Sequence, residues 1–88
     1  MYKIFYTKQA LKDIPKLKSA KLDKKAIALI ELLKEDPYHT PPLYEKLVGT
    51  LDGLYSRRIN IQHRLVYEVL EQEKAVKIVS LWTHYERV

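Results

Sequence analysis

The 88 residues contain no cysteine, which excludes disulfides and thiolate metal sites and fits a reducing compartment. No apolar run approaches the roughly 20 residues a membrane-spanning helix requires. The N-terminus, Met1-Tyr2-Lys3-Ile4-Phe5-Tyr6, begins as a strand rather than as a basic lead into an apolar signal core, so the expectation is a cytoplasmic protein. Glycine is scarce: only Gly49 and Gly53, both within residues 36–53, a stretch that also holds Pro37, Pro41 and Pro42. Histidine is limited to His39, His63 and His84, far apart and without an accompanying carboxylate cluster, so no metal site is expected. Repeats, low-complexity stretches and any sign of a second domain are also lacking, which leaves a single domain over residues 1–88.

Arginine is missing from the first 56 residues, although the net charge is +5. Residues 1–25 carry eight lysines against Asp13 and Asp23, a net of +6, and the remainder of the chain is close to neutral. Lysines on flexible stems suit loose, salt-sensitive attraction to a phosphate backbone, or simply a solvated helical face. All four arginines (Arg57, Arg58, Arg64, Arg87) fall in the second half, where directed hydrogen bonds become available.

Residues 2–6 alternate as a first strand. Thr7 is a candidate N-cap, followed by Ala10, Leu11, Ile14 and Leu17 at helical spacing, with Pro15 expected to kink or interrupt the helix. A second helix is predicted from about Leu22 to Lys34, with Leu22, Ala26, Leu29, Ile30 and Leu33 on one stripe, ended by Asp36-Pro37. Residues 36–53 read as a loop that contains Glu45, and strands are predicted near 54–61, 64–70 and 75–82, the last two joined by a polar turn at Glu71–Lys74. The outcome is an α+β domain: an N-terminal strand and a helical hairpin packed on one face of a mostly antiparallel sheet.

Alternation separates the structural residues from the chemical ones. Tyr55, Ile59 and Ile61 share one face of their strand, with Ser56, Arg58 and Asn60 on the other. On the next strand Leu65, Tyr67 and Val69 oppose Arg64, Val66 and Glu68. If both apolar sets meet the helices, Arg58 and Arg64 share the open face and Arg57 lies on the core side or folds out at an edge. That pairing demands an odd-length connection around Gln62-His63. The third strand, with a less regular pattern, is expected to lie inside the sheet and to carry His84 and Tyr85 to its far end.

Taken singly, each polar residue has an ordinary explanation. Glu45 reads as a solvated loop residue, Arg57 and Arg58 as surface ion-pair partners of Glu68 or Glu86, and His63 as a turn residue. Taken together they supply what metal-free RNA cleavage needs: a base for the 2′-hydroxyl, an acid for the leaving 5′-oxygen, and a cation for the phosphorane. Glu45 suits the first role and His84 either proton transfer. Arg64 and Arg58 can clamp a phosphate, and Tyr85 can stack on a base or donate a hydrogen bond.

The segment Tyr44–Ile59 (YEKLVGTLDGLYSRRI), then His63-Arg64-Leu65-Val66-Tyr67, then His84-Tyr85, resembles the YoeB/Txe toxins of the RelE superfamily, from bacterial type II toxin–antitoxin modules. The resemblance implies the RelE-like (microbial-RNase-like) fold and an mRNA interferase, an endoribonuclease that needs no metal or other cofactor and cuts mRNA in the ribosomal A site, leaving a cyclic phosphate and a 5′-hydroxyl. It implies Glu45 as general base, His84 as general acid and Arg64 as stabiliser of the transition state. Arg58 and Tyr85 would contact substrate. The family usually has a lysine where this chain has Val48, which leaves Lys46 as the neighbouring cation for substrate binding, and many relatives end at the His-Tyr pair where this chain continues Glu86-Arg87-Val88. The implied partners are ribosomal RNA, met by the lysine-rich residues 8–25, and a YefM/Axe-like antitoxin that folds as it wraps the toxin. A non-catalytic toxin of the same fold, of the gyrase-poisoning ParE type, or an RNA-binding module is the alternative.

Overall fold

A strand whose side chains alternate and two helices with one apolar stripe each can bury those surfaces only by stacking as two layers. The computed structural model describes residues 1–49 and 53–84, His84 by its backbone alone, and the elements run β1 (Lys3–Tyr6), α1 (Lys8–Ser19), α2 (Asp23–Glu35), β2 (Tyr44–Lys46), β3 (Tyr55–Arg58), β4 (His63–Leu70) and β5 (Ala75–His84). The five strands form one sheet in the order β1-β5-β4-β3-β2. β1 runs parallel to β5, through the helical crossover, and the other pairs are antiparallel. Among the described residues no helix is long and apolar enough to cross a membrane.

The core lies between the helices and one sheet face: Ala10 and Leu17 from α1, Ala26, Ile30 and Leu33 from α2, and Leu65, Tyr67, Val76, Ile78 and Leu81 from β4 and β5. α1 lies mainly on β5. Thr7 begins α1 as expected, its Oγ1 accepting from Ala10 N at 3.0 Å and donating to Val79 O at 2.7 Å, so one hydroxyl caps the helix and ties it to β5.

Two helical expectations are corrected. α1 continues through Pro15, which sits on its exposed side, where water can hydrogen-bond the carbonyl that loses its donor. Leu11 is 53% exposed and does not join the apolar stripe; Asp13, only 1% exposed, faces inward instead. The carboxylate is buried because it is used: Oδ2 accepts from Leu81 N at 2.9 Å and Oδ1 from Gln9 Nε2 at 2.9 Å, with Lys16 Nζ 3.6 Å away. β5 slips register against β4 between the partners of Arg64, Val66 and Tyr67, and Asp13 and Thr7 bind its backbone at Leu81 and Val79, within that irregular stretch.

The sheet also differs from expectation at its free edge. Residues 44–46 form a short strand, β2, because β3 offers an unpaired edge to them: Tyr44 pairs with Arg57, Glu45 with Ser56 and Lys46 with Tyr55. β3 ends at Arg58; Ile59 still packs into the core, but Ile61 is 78% exposed in the connection and shares no face with Tyr55. β5 lies inside the sheet, as expected, and extends to His84.

Candidate active site

The register of β3 and β4 fixes the chemistry. Arg58 pairs with Arg64, Arg57 with Leu65, Ser56 with Val66 and Tyr55 with Tyr67, so residues 59–63 separate the two facing arginines, an odd number as the alternation requires. Directly opposed residues share a face, which sets Ser56, Arg58, Arg64 and Val66 on the open face and Tyr55, Arg57, Leu65 and Tyr67 toward the helices. Asn60 closes the connection: its Oδ1 accepts from Gln62 N at 2.9 Å and His63 N at 2.7 Å. His63, expected in the turn, is instead the first residue of β4, buried, with its ring 4.1 Å from that of Trp82 and its Nδ1 3.2 Å from Asn60 Oδ1.

Glu45 reaches the same open face through β2, opposite Ser56. Its Oε1 lies 2.5 Å from Arg64 Nη2, with the Glu45 side chain 58% exposed and that of Arg64 only 3%. Ser56 Oγ, fully buried, accepts from Arg64 Nη1 at 2.7 Å. The guanidinium is therefore oriented from two sides while its carboxylate partner stays open to an arriving hydroxyl. Pro42, Leu43, Tyr44, Glu45, Arg58 and Arg64 line a cleft of about 480 Å³ over this pair. Such a cleft, with an accessible carboxylate and two arginines, suits an anionic substrate from which a proton is taken.

Arg57 carries the loop that delivers Glu45. It is fully buried on the helix side and donates from Nε to Tyr67 Oη at 3.2 Å, from Nη1 to Pro42 O at 2.6 Å and from Nη2 to Pro37 O at 2.9 Å. Its guanidinium also stands 5.0 Å from the centre of the Tyr44 ring. One fork thus holds both ends of the 37–42 segment against the sheet just before β2 begins. Tyr67 Oη donates in turn to Pro37 O at 3.0 Å, and burial pushes its phenol pKa above the ordinary value, although the adjacent Arg57 opposes the shift.

The remaining candidates divide. Arg58 is exposed and borders the cleft, as expected. Lys46 is exposed and shares its face with Tyr55, opposite the Glu45 face, because neighbours in a strand alternate. Val48 is exposed beyond β2. The backbone of His84 ends β5 in register with His63, one position from the Arg64–Thr83 pair; its side chain, with Tyr85 and the Glu86–Val88 tail, lies outside the described residues. Sequence reasoning passed over Ser56 as a partner of Arg64, although its position two before Arg58 already assigned it to the open face. It also passed over the fork of Arg57, whose carbonyl acceptors no local pattern reveals.

Comparison with known proteins accords with this geometry. Residues 6–85 match the family model of the YoeB-like toxin of bacterial type II toxin-antitoxin systems. The chain is 39% identical over 67 residues to the toxin YoeB of Synechocystis sp., covering 76% of each. In structure it resembles a YoeB/ParE toxin from Agrobacterium tumefaciens (TM-score 0.84, 28% identity, 94% of this chain and 99% of that one). It likewise resembles the toxin chain of the heterotetrameric YoeB-YefM complex from Staphylococcus aureus (TM-score 0.79, 34% identity, 97% and 99%). The two helices on a mostly antiparallel five-stranded sheet are the RelE-like fold, and this chain belongs to the YoeB-like toxins of bacterial type II toxin–antitoxin systems.

Proposed function

We propose that the protein is a ribosome-dependent endoribonuclease that cuts mRNA by acid–base chemistry without a metal ion. The observation that carries this reading is the Glu45–Arg64 pair, a solvent-open carboxylate held at 2.5 Å by a buried guanidinium on the open face of the sheet. In the proposed step Glu45 takes the 2′-hydroxyl proton as that oxygen attacks the adjacent phosphorus. Arg64, steadied by Ser56, hydrogen-bonds the oxygens on which phosphorane charge gathers, and Arg58 binds the phosphate from the cleft rim. His84 gives a proton to the departing 5′-oxygen, and Tyr85 contacts the nucleotide at the scissile bond. The products are a 2′,3′-cyclic phosphate and a 5′-hydroxyl, and the proton accepted by Glu45 is balanced by the one lost from His84.

Preorganised charge of this kind loses its effect in bulk water, which is why the ribosome enters the proposal. Lys8, Lys12, Lys16, Lys18, Lys21, Lys24 and Lys25 are all exposed on or beside the two helices, a surface suited to ribosomal RNA. The same cationic surface and the open cleft suit an acidic, YefM-like antitoxin as the inhibiting partner, the kind of complex named for the Staphylococcus relative. The Glu45–Arg64 arrangement favours this reading over a gyrase poison or a passive RNA-binding module, since neither needs a proton acceptor beside a buried arginine.

The test is primer-extension mapping of mRNA in a translating extract with wild type, Glu45→Gln and His84→Ala. Wild type should cut, and both variants should lose at least about a hundredfold in rate, the usual scale for a general acid or base. Equal cleavage by His84→Ala and wild type would remove its assigned role. Growth arrest and gyrase-dependent DNA breakage without mRNA cleavage would favour the ParE-type reading.

A further inference from the structure

The cleft over the Glu45–Arg64 pair has two chemical characters. Glu45, Arg58 and Arg64 bring charge to its lining, whereas Pro42, Leu43 and Tyr44 bring mostly hydrocarbon. Leu43 is 81% exposed, second only to Met1 among the large apolar side chains described. A leucine exposed at random needs no explanation, but this one is held in place. On one side of it the Pro42 carbonyl accepts from Nη1 of the buried Arg57 at 2.6 Å. On the other, Tyr44 pairs with Arg57 across β2 and β3, and the guanidinium stands 5.0 Å from its ring centre. The backbone around Leu43 is thus fixed from the helix side of the sheet while its side chain stands in water in the cleft. With Tyr44 extended in β2, Leu43 and Glu45 project to the same side, their Cα atoms roughly 6.5 Å apart, within the reach of one nucleotide.

We propose that Leu43 is the platform for the base of the nucleotide whose 2′-hydroxyl meets Glu45. One face of the base lies on Leu43 and Pro42, and the attached ribose is thereby directed at the carboxylate. The inference rests on the nuclease reading and adds a substrate-positioning residue to it. A ribonucleotide fits both characters of the lining at once: its 2′-hydroxyl can give a proton to Glu45, and its base presents an apolar face. An acidic peptide could cover Leu43, but its carboxylates are ionised near neutral pH and would meet Glu45 with like charge and no proton to give. Contact with the face of a base reads no edge, so Leu43 serves orientation and affinity rather than base identity.

A double-mutant cycle on programmed ribosomes tests it, pairing wild type or Leu43→Ala with an mRNA that carries either an ordinary nucleotide or an abasic ribonucleotide at the cleaved position. The abasic residue keeps the 2′-hydroxyl and removes only the base. Wild type should cut the abasic message about tenfold more slowly, the scale of one side chain's apolar contact. Leu43→Ala should cut the ordinary message equally slowly and show no further loss on the abasic one, because both changes delete the same contact. Leu43→Met should restore most of the wild-type rate, and the melting temperatures of all three proteins should agree, since the position is exposed. Losses that multiply, with Leu43→Ala slowing both messages by the same factor, would overturn the platform and leave the nuclease reading standing. Equal cutting of both messages by wild type would do the same. A wild type that cuts neither message would sink both readings. Normal cleavage by Leu43→Ala, together with weakened binding of an acidic peptide, would assign the residue to a protein partner and overturn the proposal.

Discussion

Two adjacent arginines, Arg57 and Arg58, point to opposite faces of β3, and replacing each by methionine should have opposite consequences. Arg57→Met removes three hydrogen bonds from a fully buried guanidinium, to Pro42 O, Pro37 O and Tyr67 Oη. Bonds from a charged donor are worth ~1.5–3 kcal/mol each, a gross loss of roughly 5–9 kcal/mol. Two effects reduce it. Pro37 O keeps the Tyr67 hydroxyl as a donor at 3.0 Å. The cost of burying the cation, several kcal/mol, is also no longer incurred. The net expectation is a loss of about 2–4 kcal/mol, large beside the ~5–15 kcal/mol of a typical domain. In a domain of this size that lowers Tm by about 10–25 °C. Arg58→Met, at an exposed position, should cost under about 0.5 kcal/mol and instead weaken RNA cleavage. Urea unfolding with thermal melts of both variants is the assay. An Arg57→Met protein within about 0.5 kcal/mol of wild type, or an Arg58→Met protein destabilised as much as its neighbour, would refute the assignment of faces.

Three further outcomes are expected. Ser56→Ala removes the acceptor that orients Arg64 Nη1, and should lower single-turnover cleavage about tenfold with a stability loss near ~1 kcal/mol; an unchanged rate would show that the guanidinium is oriented without Ser56. Thr7→Ala loses both the α1 cap and the bond to Val79 O, and urea unfolding should register about 1–2 kcal/mol. The Glu71 carboxylate accepts from Tyr38 Oη at 2.7 Å and Tyr2 Oη at 3.0 Å, and these hydroxyls hold its pKa below the usual value of 4.5. A lowered folded-state value means that this contribution is present above pH 4.5 and fades as acid drives the pH through the lower folded value. Tyr38→Phe should therefore flatten the acid limb of the stability–pH curve, and an unaltered limb would contradict it.

Much of the fold follows from short-range pattern. The cap at Thr7, the α2 stripe and the odd connection between Arg58 and Arg64 are all local consequences of side-chain periodicity, and each is present. What local pattern could not carry were features held by distant partners. β2 is a strand only because β3 has a free edge; its own three residues sit in a proline-rich stretch that reads as loop. Leu11 fits an apolar stripe better than Asp13 does, yet Asp13 is buried because β5, nearly 70 residues later, has a backbone donor for it. Pro15 counts against a helix by propensity, but packing of α1 on β5 outweighs one lost bond on the solvent side. Of the candidate site, Glu45, Arg58 and Arg64 come together as expected, whereas strand alternation turns Lys46 away from them. The assigned roles of His84 and Tyr85 rest on sequence and on where β5 ends.

The most direct test of the account uses programmed ribosomes carrying an mRNA with either an ordinary ribonucleotide or a single 2′-deoxynucleotide at the cleaved position, with wild-type toxin in single-turnover excess. The ordinary message should be cut to a 2′,3′-cyclic phosphate and a 5′-hydroxyl, and the 2′-deoxy message should remain intact while occupying the same site. Equal cleavage of the two messages, or a 5′-phosphate product, would contradict attack by the 2′-oxygen and with it the role assigned to Glu45.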